Sequence, residues 1–300
     1  MAVTAQPQSE PQKADLREPP SWRRTKNQIM TVLMVLSFVV TMIPLVFVLI
    51  TVVAKGAPII SWQFLTAGIP VNVSPADVGG MGPAIVGTFL VTAVATVIAV
   101  PLGILGAIYI NEYGGKGILA QVVRFMSDVM TGVPSIIMGL FIFTVWTLHF
   151  QYSAFGGGLA LACLMLPIVI RSTEEILKLV PDPLREGAYA LGATKSRVTL
   201  TVVLPAAIGG ITSGVLLAVA RAAGETAPLL FTIGTVTAVN WKVFSGSNTS
   251  LPSQIFANAT SPFVGAQARG WGAALTLVVI AFVLMIAARL VTARFARYQR

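Results

Sequence analysis

Three charged side chains stand in or beside strongly apolar stretches of this sequence. Arg221 and Glu225 are four residues apart, which places them on one face of a helix. Arg171 follows the apolar run LPIVI. An arginine inside a membrane costs roughly 2.5–3.5 kcal/mol and therefore indicates a functional site. Because a guanidinium donates two parallel hydrogen bonds to a tetrahedral oxyanion, the pattern predicts a path for such an anion.

Each of these residues also has a structural interpretation. Arg221 and Glu225 could simply neutralise one another within the membrane. Arg171 could be a boundary residue whose long side chain reaches the water at the end of a span. If the functional interpretation holds, Glu225 would oppose a fully charged anion and accept a hydrogen bond from a protonated one. That favours phosphate over sulfate, although other oxyanions stay open.

The remaining reactive side chains do not indicate an enzyme. His149 is the only histidine, Cys163 is the only cysteine, and Asp128 has no acidic neighbour close in sequence. The phosphate-binding pattern G-x-x-x-x-G-K-[ST] does not occur. We therefore expect a non-catalytic protein without a cofactor or a metal ion. Energy for transport would come from another polypeptide or from an ion gradient.

The composition indicates which elements hold these residues. The sequence has 300 residues, of which 55% are hydrophobic and only 10% are charged, with a mean hydropathy of +0.83. Soluble domains average about 25% charged residues, so this is an all-α integral membrane protein. We expect a disordered tail over residues 1–28, followed by a transmembrane domain over 29–300. Six spans are predicted, near 29–53, 84–110, 129–148, 159–170, 206–223 and 271–291, with seven as the alternative.

The sequence leaves the shape of the third, fourth and fifth spans open. The fourth is short, so it must either continue through Arg171 or lie tilted. Pro134 and Pro167 are expected to kink the third and fourth spans, either as ordinary packing features or as hinges for transport. The semi-apolar stretch 228–243 could extend the fifth span or re-enter the membrane.

The distribution of basic residues predicts the orientation. With the N-terminus inside, sixteen of the twenty Lys and Arg residues fall on the cytoplasmic side and three fall outside. Arg221 lies within a span. Because basic residues collect on the cytoplasmic flanks of spans, both termini are predicted to be cytoplasmic. The polar loop at 172–204 then lies on the cytoplasmic side as well.

This loop contains the stretch REGAYALGATKSRVTLTVVLP over residues 185–205. We expect a capping cluster at 172–175, a helix at 184–191 that ends at Gly192, and a second helix at 195–203. Arg185, Glu186, Lys195 and Arg197 would form a charged rim, while apolar side chains would fill a groove of a partner. These apolar side chains are Ala188, Ala190 and Leu191. The alternative is an amphipathic helix lying on the lipid surface.

The loop resembles the cytoplasmic coupling loop of ABC importer permeases, whose pattern is E-A-A, three residues, G, nine residues, I-x-L-P. The residues that match are Glu186, Ala188, Gly192, Leu204 and Pro205, whereas Gly187 replaces the first alanine and Val202 the isoleucine. The segments GVPSIIMGLF, LPIVIRSTEE and RAAGETAPLLFT are similar to the phosphate permeases within this family. The similarity extends over about 84–234.

The resemblance implies a type I importer bundle of six transmembrane helices in the bacterial inner membrane, with a coupling helix on its cytoplasmic side. It also implies that phosphate passes Arg171, Arg221 and Glu225. The implied partners are a homologous second permease, two copies of an ATP-binding subunit and an extracytoplasmic phosphate-binding protein. The outer segments 55–83 and 243–270 would meet that binding protein. A permease for sulfate or molybdate and an ion-coupled phosphate carrier are the alternatives, although no inverted repeat supports the second.

Overall fold

The computed structural model describes residues 21–70, 78–115 and 117–297. Helices make up most of these ranges and no strand occurs in them, so the predicted all-α fold is confirmed. The predicted disordered tail lies outside the described residues up to position 20. Its last part, 21–28, is already helical, because the first helix begins at Ser21.

Thirteen α-helices lie within the described ranges. They are α1 (Ser21–Gly56), α2 (Trp62–Thr66), α3 (Gly82–Ile108), α4 (Ile118–Gly132), α5 (Ser135–Ile142), α6 (Leu148–Phe150), α7 (Ala154–Lys178), α8 (Asp182–Ala190), α9 (Lys195–Val198), α10 (Leu204–Ala223), α11 (Ala227–Thr232), α12 (Leu251–Ala259) and α13 (Val264–Arg297). Three π-helical turns, Tyr109–Gly114, Phe143–Thr147 and Thr199–Val203, extend α3, join α5 to α6 and join α9 to α10.

Five helical segments of the described chain are long and apolar enough to cross a membrane, and a bent pair makes a sixth. The bent pair corresponds to the third predicted span. We expected one span over 129–148, whereas α4 ends at Gly132 and α5 begins at Ser135, with an angle of 105° between them. Val133 is extended, and Pro134 has a φ of −56° and a ψ of 134°, which is not helical. A proline disfavours the helical conformation of the residue before it, which explains the break.

The fourth predicted span is the middle part of a longer helix, α7, which begins at Ala154. α7 passes through Pro167 and Arg171 and ends only at Lys178. The predicted capping cluster at 172–175 is therefore wrong, because these residues lie in the interior of α7. Thr173 and Glu174 are both fully buried. The semi-apolar stretch that begins at 228 contributes only the short helix α11, which packs against α5 and α7.

The central core of the domain packs α3 against α7, with α10 and α11 completing it. Glycines allow this close approach. A Cβ atom added to Gly103 in α3 would lie 2.6 Å from Cγ1 of Val169, and one added to Gly139 in α5 would lie 2.5 Å from the Cα atom of Pro228. Since lipid is as apolar as the side chains, such tight packing is what holds membrane helices together.

The predicted helix–glycine–helix arrangement of the polar loop is confirmed. α8 ends at Ala190, and Gly192 has a φ of 80°, a conformation that glycine adopts without strain. α9 follows and runs through the π-helical turn Thr199–Val203 into α10, with Pro205 in its first turn. The loop is thus a short helix, a sharp reversal and a helix that continues into the next span.

Candidate functional site

Arg221 and Glu225 lie together at the end of α10. The helix ends at Ala223, Gly224 caps it, and Glu225 follows immediately. Nε of Arg221 is 3.8 Å from Oε1 of Glu225, so the predicted pairing is present but loose. The Arg221 side chain is 70% exposed and that of Glu225 is 22% exposed. The guanidinium therefore keeps donors that Glu225 does not occupy.

The two residues line a cavity of about 260 Å³. Its other walls come from the break between α4 and α5 and from the middle of α7. The remaining lining residues are Met130, Thr131, Val133, Pro134, Ser135, Leu164 and Ile168. Ser135 contributes a hydroxyl, and the start of α5 presents the positive end of a helix dipole. With a guanidinium opposite, the cavity has the chemistry to hold a small anion.

Arg171 lies in a different environment. It does not line this cavity, and its guanidinium forms ion pairs with Asp128 of α4 and with Glu174, whose Oε2 is 3.5 Å away. Glu174 is completely buried, and its Oε1 also lies 2.8 Å from Nε of Arg124 and 2.8 Å from Nζ of Lys178. We call these five side chains, Arg124, Asp128, Arg171, Glu174 and Lys178, the Glu174 cluster. It ties α4 to α7, since each helix supplies charges of both signs.

The sequence reasoning missed most of the Glu174 cluster. Asp128 has no partner close in sequence, and the residues around Glu174 are typical of a capping motif. Two signals were available: Glu174 is three residues after Arg171 and four before Lys178, spacings that place all three on one helix face. The contact to Arg124 joins positions 50 residues apart, which no local pattern indicates.

The loop residues divide into outward-facing and inward-facing positions. Glu186, Gly187, Gly192 and Pro205 are exposed, and Leu191 is 90% exposed. Ala188 and Leu204 are half-buried and pack against a core to which α3, α7, α9 and α10 contribute.

Arg185 does not lie on the charged rim where we expected it. Its side chain is only 14% exposed and pairs with Glu112 beyond the end of α3 and with Asp182 in α8. The expected rim is therefore limited to the exposed side chains of Glu186, Lys195 and Arg197.

The other reactive side chains singled out by the sequence, Cys163 and His149, do not line the cavity at Arg221. Within the described ranges, no group of three or more His, Cys, Asp or Glu side chains is placed to hold a metal ion. Cys163 is a free thiol in α7, and His149 lies in α6.

Comparison with known proteins identifies the family of this chain. Residues 99–297 match the family of binding-protein-dependent transport system inner membrane components. The chain is 43% identical to phosphate transport system permease protein PstA 1 of Mycobacterium tuberculosis (strain CDC 1551 / Oshkosh), covering 93% of this chain and 91% of the relative. It is 41% identical to phosphate transport system permease protein PstA of Yersinia pestis, covering 93% and 94%.

Solved structures agree on the fold. A bacterial ABC transporter involved in the import of the acidic polysaccharide alginate is similar with a TM-score of 0.61 and 15% identity, covering 92% of this chain and 99% of that one. The inward-facing MetNI methionine ABC transporter is similar with a TM-score of 0.55 and 18% identity, covering 72% and 94%. The chain therefore belongs to the family of binding-protein-dependent transport system inner membrane components.

Proposed function

We propose that this chain is the transmembrane permease subunit of an ATP-driven importer of inorganic phosphate. Relatives that are 41–43% identical over more than nine-tenths of the chain are named phosphate transport permeases. The cavity at Arg221 has the chemistry that such a substrate requires. The chain itself would be non-catalytic and would alternate between two access states while separate ATP-binding subunits hydrolyse ATP.

The observation that carries the proposal is the exposure of Arg221 within a membrane span. The residue lies near the end of a helical segment, Lys195–Ala223, that is apolar enough to cross the bilayer, yet its side chain is 70% exposed. An arginine facing lipid is costly, so this face must border a water-filled path or another protein. A homologous second permease subunit covering the face would leave an aqueous path lined by the guanidinium.

Within that path, Arg221 would bind phosphate oxygens through paired hydrogen bonds. Glu225 would accept a hydrogen bond from a protonated phosphate oxygen, which sulfate cannot donate near neutral pH. Arg171 would be a second phosphate-binding position, nearer the end of α7. Phosphate would have to displace Asp128 from its guanidinium there. The start of α5 would add a favourable dipole beside Arg221.

The basic residues support an orientation with both termini in the cytoplasm of a bacterial cell. In this orientation α8 faces the cytoplasm. Two copies of an ATP-binding subunit would serve the permease pair, one below each permease, and would dock on the exposed part of the loop, where Leu191 is an apolar anchor and Glu186 a charged one. The outer segments 55–83 and 243–270 would meet an extracytoplasmic phosphate-binding protein.

The test is phosphate uptake by proteoliposomes that contain the complete complex, with the binding protein outside and ATP inside. We expect vanadate to abolish uptake and a protonophore or sodium ionophore to leave it unchanged. Uptake that survives vanadate and collapses with an ionophore would instead establish an ion-coupled carrier. Excess sulfate or molybdate should not compete, and effective competition would assign the site to another oxyanion.

A further inference from the structure

The end of α3 carries a buried acidic side chain that the transport path does not use. Glu112 lies in the π-helical turn Tyr109–Gly114, and its side chain is only 5% exposed. A buried carboxylate is costly unless it is paired and hydrogen-bonded. Oε1 accepts a hydrogen bond of 2.8 Å from the Asn111 amide and lies 3.2 Å from Nη2 of Arg185 in α8.

Arg185 connects three helices through one guanidinium. Besides Glu112, it donates hydrogen bonds to the backbone carbonyl oxygens of Leu177 in α7, at 2.9 Å, and of Val180, which follows α7, at 2.5 Å. Asp182, in its own helix, is a further partner at 3.0 Å, but the Asp182 side chain is 84% exposed. The buried side of this network therefore runs from α8 to the ends of α3 and α7.

A second, independent contact joins the loop to the same π-helical turn. Nζ of Lys195, at the start of α9, lies 5.3 Å from the ring centroid of Tyr113. This distance is within the range of a cation–π interaction. Both helices of the loop thus contact residues 109–114, and Glu112, Arg185 and Lys195 all line one polar cavity of about 360 Å³. π-Helical turns often occur where a helix serves a function.

We propose that Glu112 and Arg185 form a positioning link through which movement of α8 is transmitted to α3 and α7. This inference rests on the proposed function, because it assumes that α8 moves when a docked partner hydrolyses ATP. The partner would contact the outward face of α8, which includes Glu186. Arg185, on the inward face, would transmit the movement of α8 to α3 and α7. A charge-assisted pair suits this role, since it is directional and its separation inside the protein is costly.

The experiment compares Glu112→Gln with wild type in the reconstituted complex and measures phosphate uptake per ATP hydrolysed. We expect the variant to assemble with its partners and to hydrolyse ATP, with uptake per ATP reduced by about fivefold or more, the lower end of typical coupling between sites. Hydrogen exchange of the α8 amides should become faster. Uptake per ATP equal to that of wild type would overturn the proposal.

The matched control is Glu175→Gln, which makes the same chemical change at an exposed position of α7. It should keep wild-type uptake per ATP, and a loss equal to that of Glu112→Gln would show a general charge effect and overturn the link. Absence of uptake in wild type as well would instead contradict the proposed function.

If Glu112→Gln does not assemble, the double variant Glu112→Gln with Arg185→Gln leaves neither charge unpaired. It should assemble and stay poorly coupled, whereas normal coupling in the double variant would overturn the link.

Discussion

Arg221 and Glu174 are both charged side chains in helical segments long enough to cross a membrane, but their surroundings are opposite. Arg221 has one loose partner at 3.8 Å and is 70% exposed. Glu174 is completely buried and receives three cationic groups, two of them at 2.8 Å. One charge is left available for a ligand, whereas the other is fully satisfied by the protein itself.

This difference separates the two ways in which a membrane protein can use a charge. A buried carboxylate that accepts from two helices fixes their relative position, and removing it leaves cations without a counter-charge. An arginine that keeps free donors contributes little to the fold and can bind an anion instead. We therefore expect variants of Glu174 to lose stability and variants of Arg221 to lose transport.

The largest effect is expected for Glu174→Gln. The substitution keeps the shape of the side chain but removes the charge that neutralises Arg124, Arg171 and Lys178. Breaking a buried ion pair from one side typically costs 3–5 kcal/mol. Because the arginines and Lys178 are partly exposed, we expect the low end, about 3 kcal/mol, in denaturant unfolding of the purified protein in detergent.

The control for that variant is Glu175→Gln, one residue further along α7 and exposed. It should change stability by no more than about 0.5 kcal/mol. Equal stability losses in the two variants would mean that the Glu174 cluster does not hold α4 and α7 together.

The next effect concerns transport and is expected for Arg221→Gln. Loss of a charged hydrogen-bond donor to the anion should cost about 2 kcal/mol, or roughly 30-fold in phosphate uptake at limiting phosphate. Stability should change by less than about 1 kcal/mol, since the ion pair with Glu225 that is lost is exposed and loose. Wild-type uptake by an assembled complex with normal ATP hydrolysis would contradict a binding role for Arg221.

The parts of the fold that follow from local patterns could be predicted from the sequence. Apolar length indicates the five continuous candidate spans of the described chain, and the helix break at Gly192 follows from glycine's tolerance of a positive φ. The 105° bend at Pro134 was underestimated, because the apolar run continues across it. Hydropathy reports which residues avoid water, and it does not report where a helix changes direction.

The inward position of Arg185 and the burial of Glu174 could not be predicted for a different reason. Their partners, Glu112 and Arg124, lie 73 and 50 residues away in the sequence. Charged residues after an apolar run are usually in water, so a loop was the reasonable expectation at 172–175. The packing of α4 against α7 adds Arg124 to the counter-charges that Arg171 and Lys178 supply from α7 itself, and together they allow α7 to continue through Glu174.

A smaller effect is expected for Glu225→Gln, which tests how the anion is selected. The carboxylate is the loose partner of Arg221, so its removal should change phosphate uptake by no more than about fivefold, equivalent to 1 kcal/mol. Discrimination should change more clearly, because an amide no longer repels a fully charged anion. Competition by sulfate in the uptake assay should increase, and unchanged competition would exclude Glu225 from selectivity.

An effect of similar or smaller size is expected for Asp128→Asn, and it decides how Arg171 is used. Asp128 is 54% exposed, so loss of its ion pair with Arg171 should cost at most about 0.5–1 kcal/mol of stability. If phosphate must displace Asp128 to reach Arg171, the variant should take up phosphate at a lower half-saturating concentration, by up to about fivefold. If Arg171 belongs only to the Glu174 cluster, that concentration stays at the wild-type value. The two arginines would then differ in kind, with Arg221 serving the anion and Arg171 serving the helices that surround it.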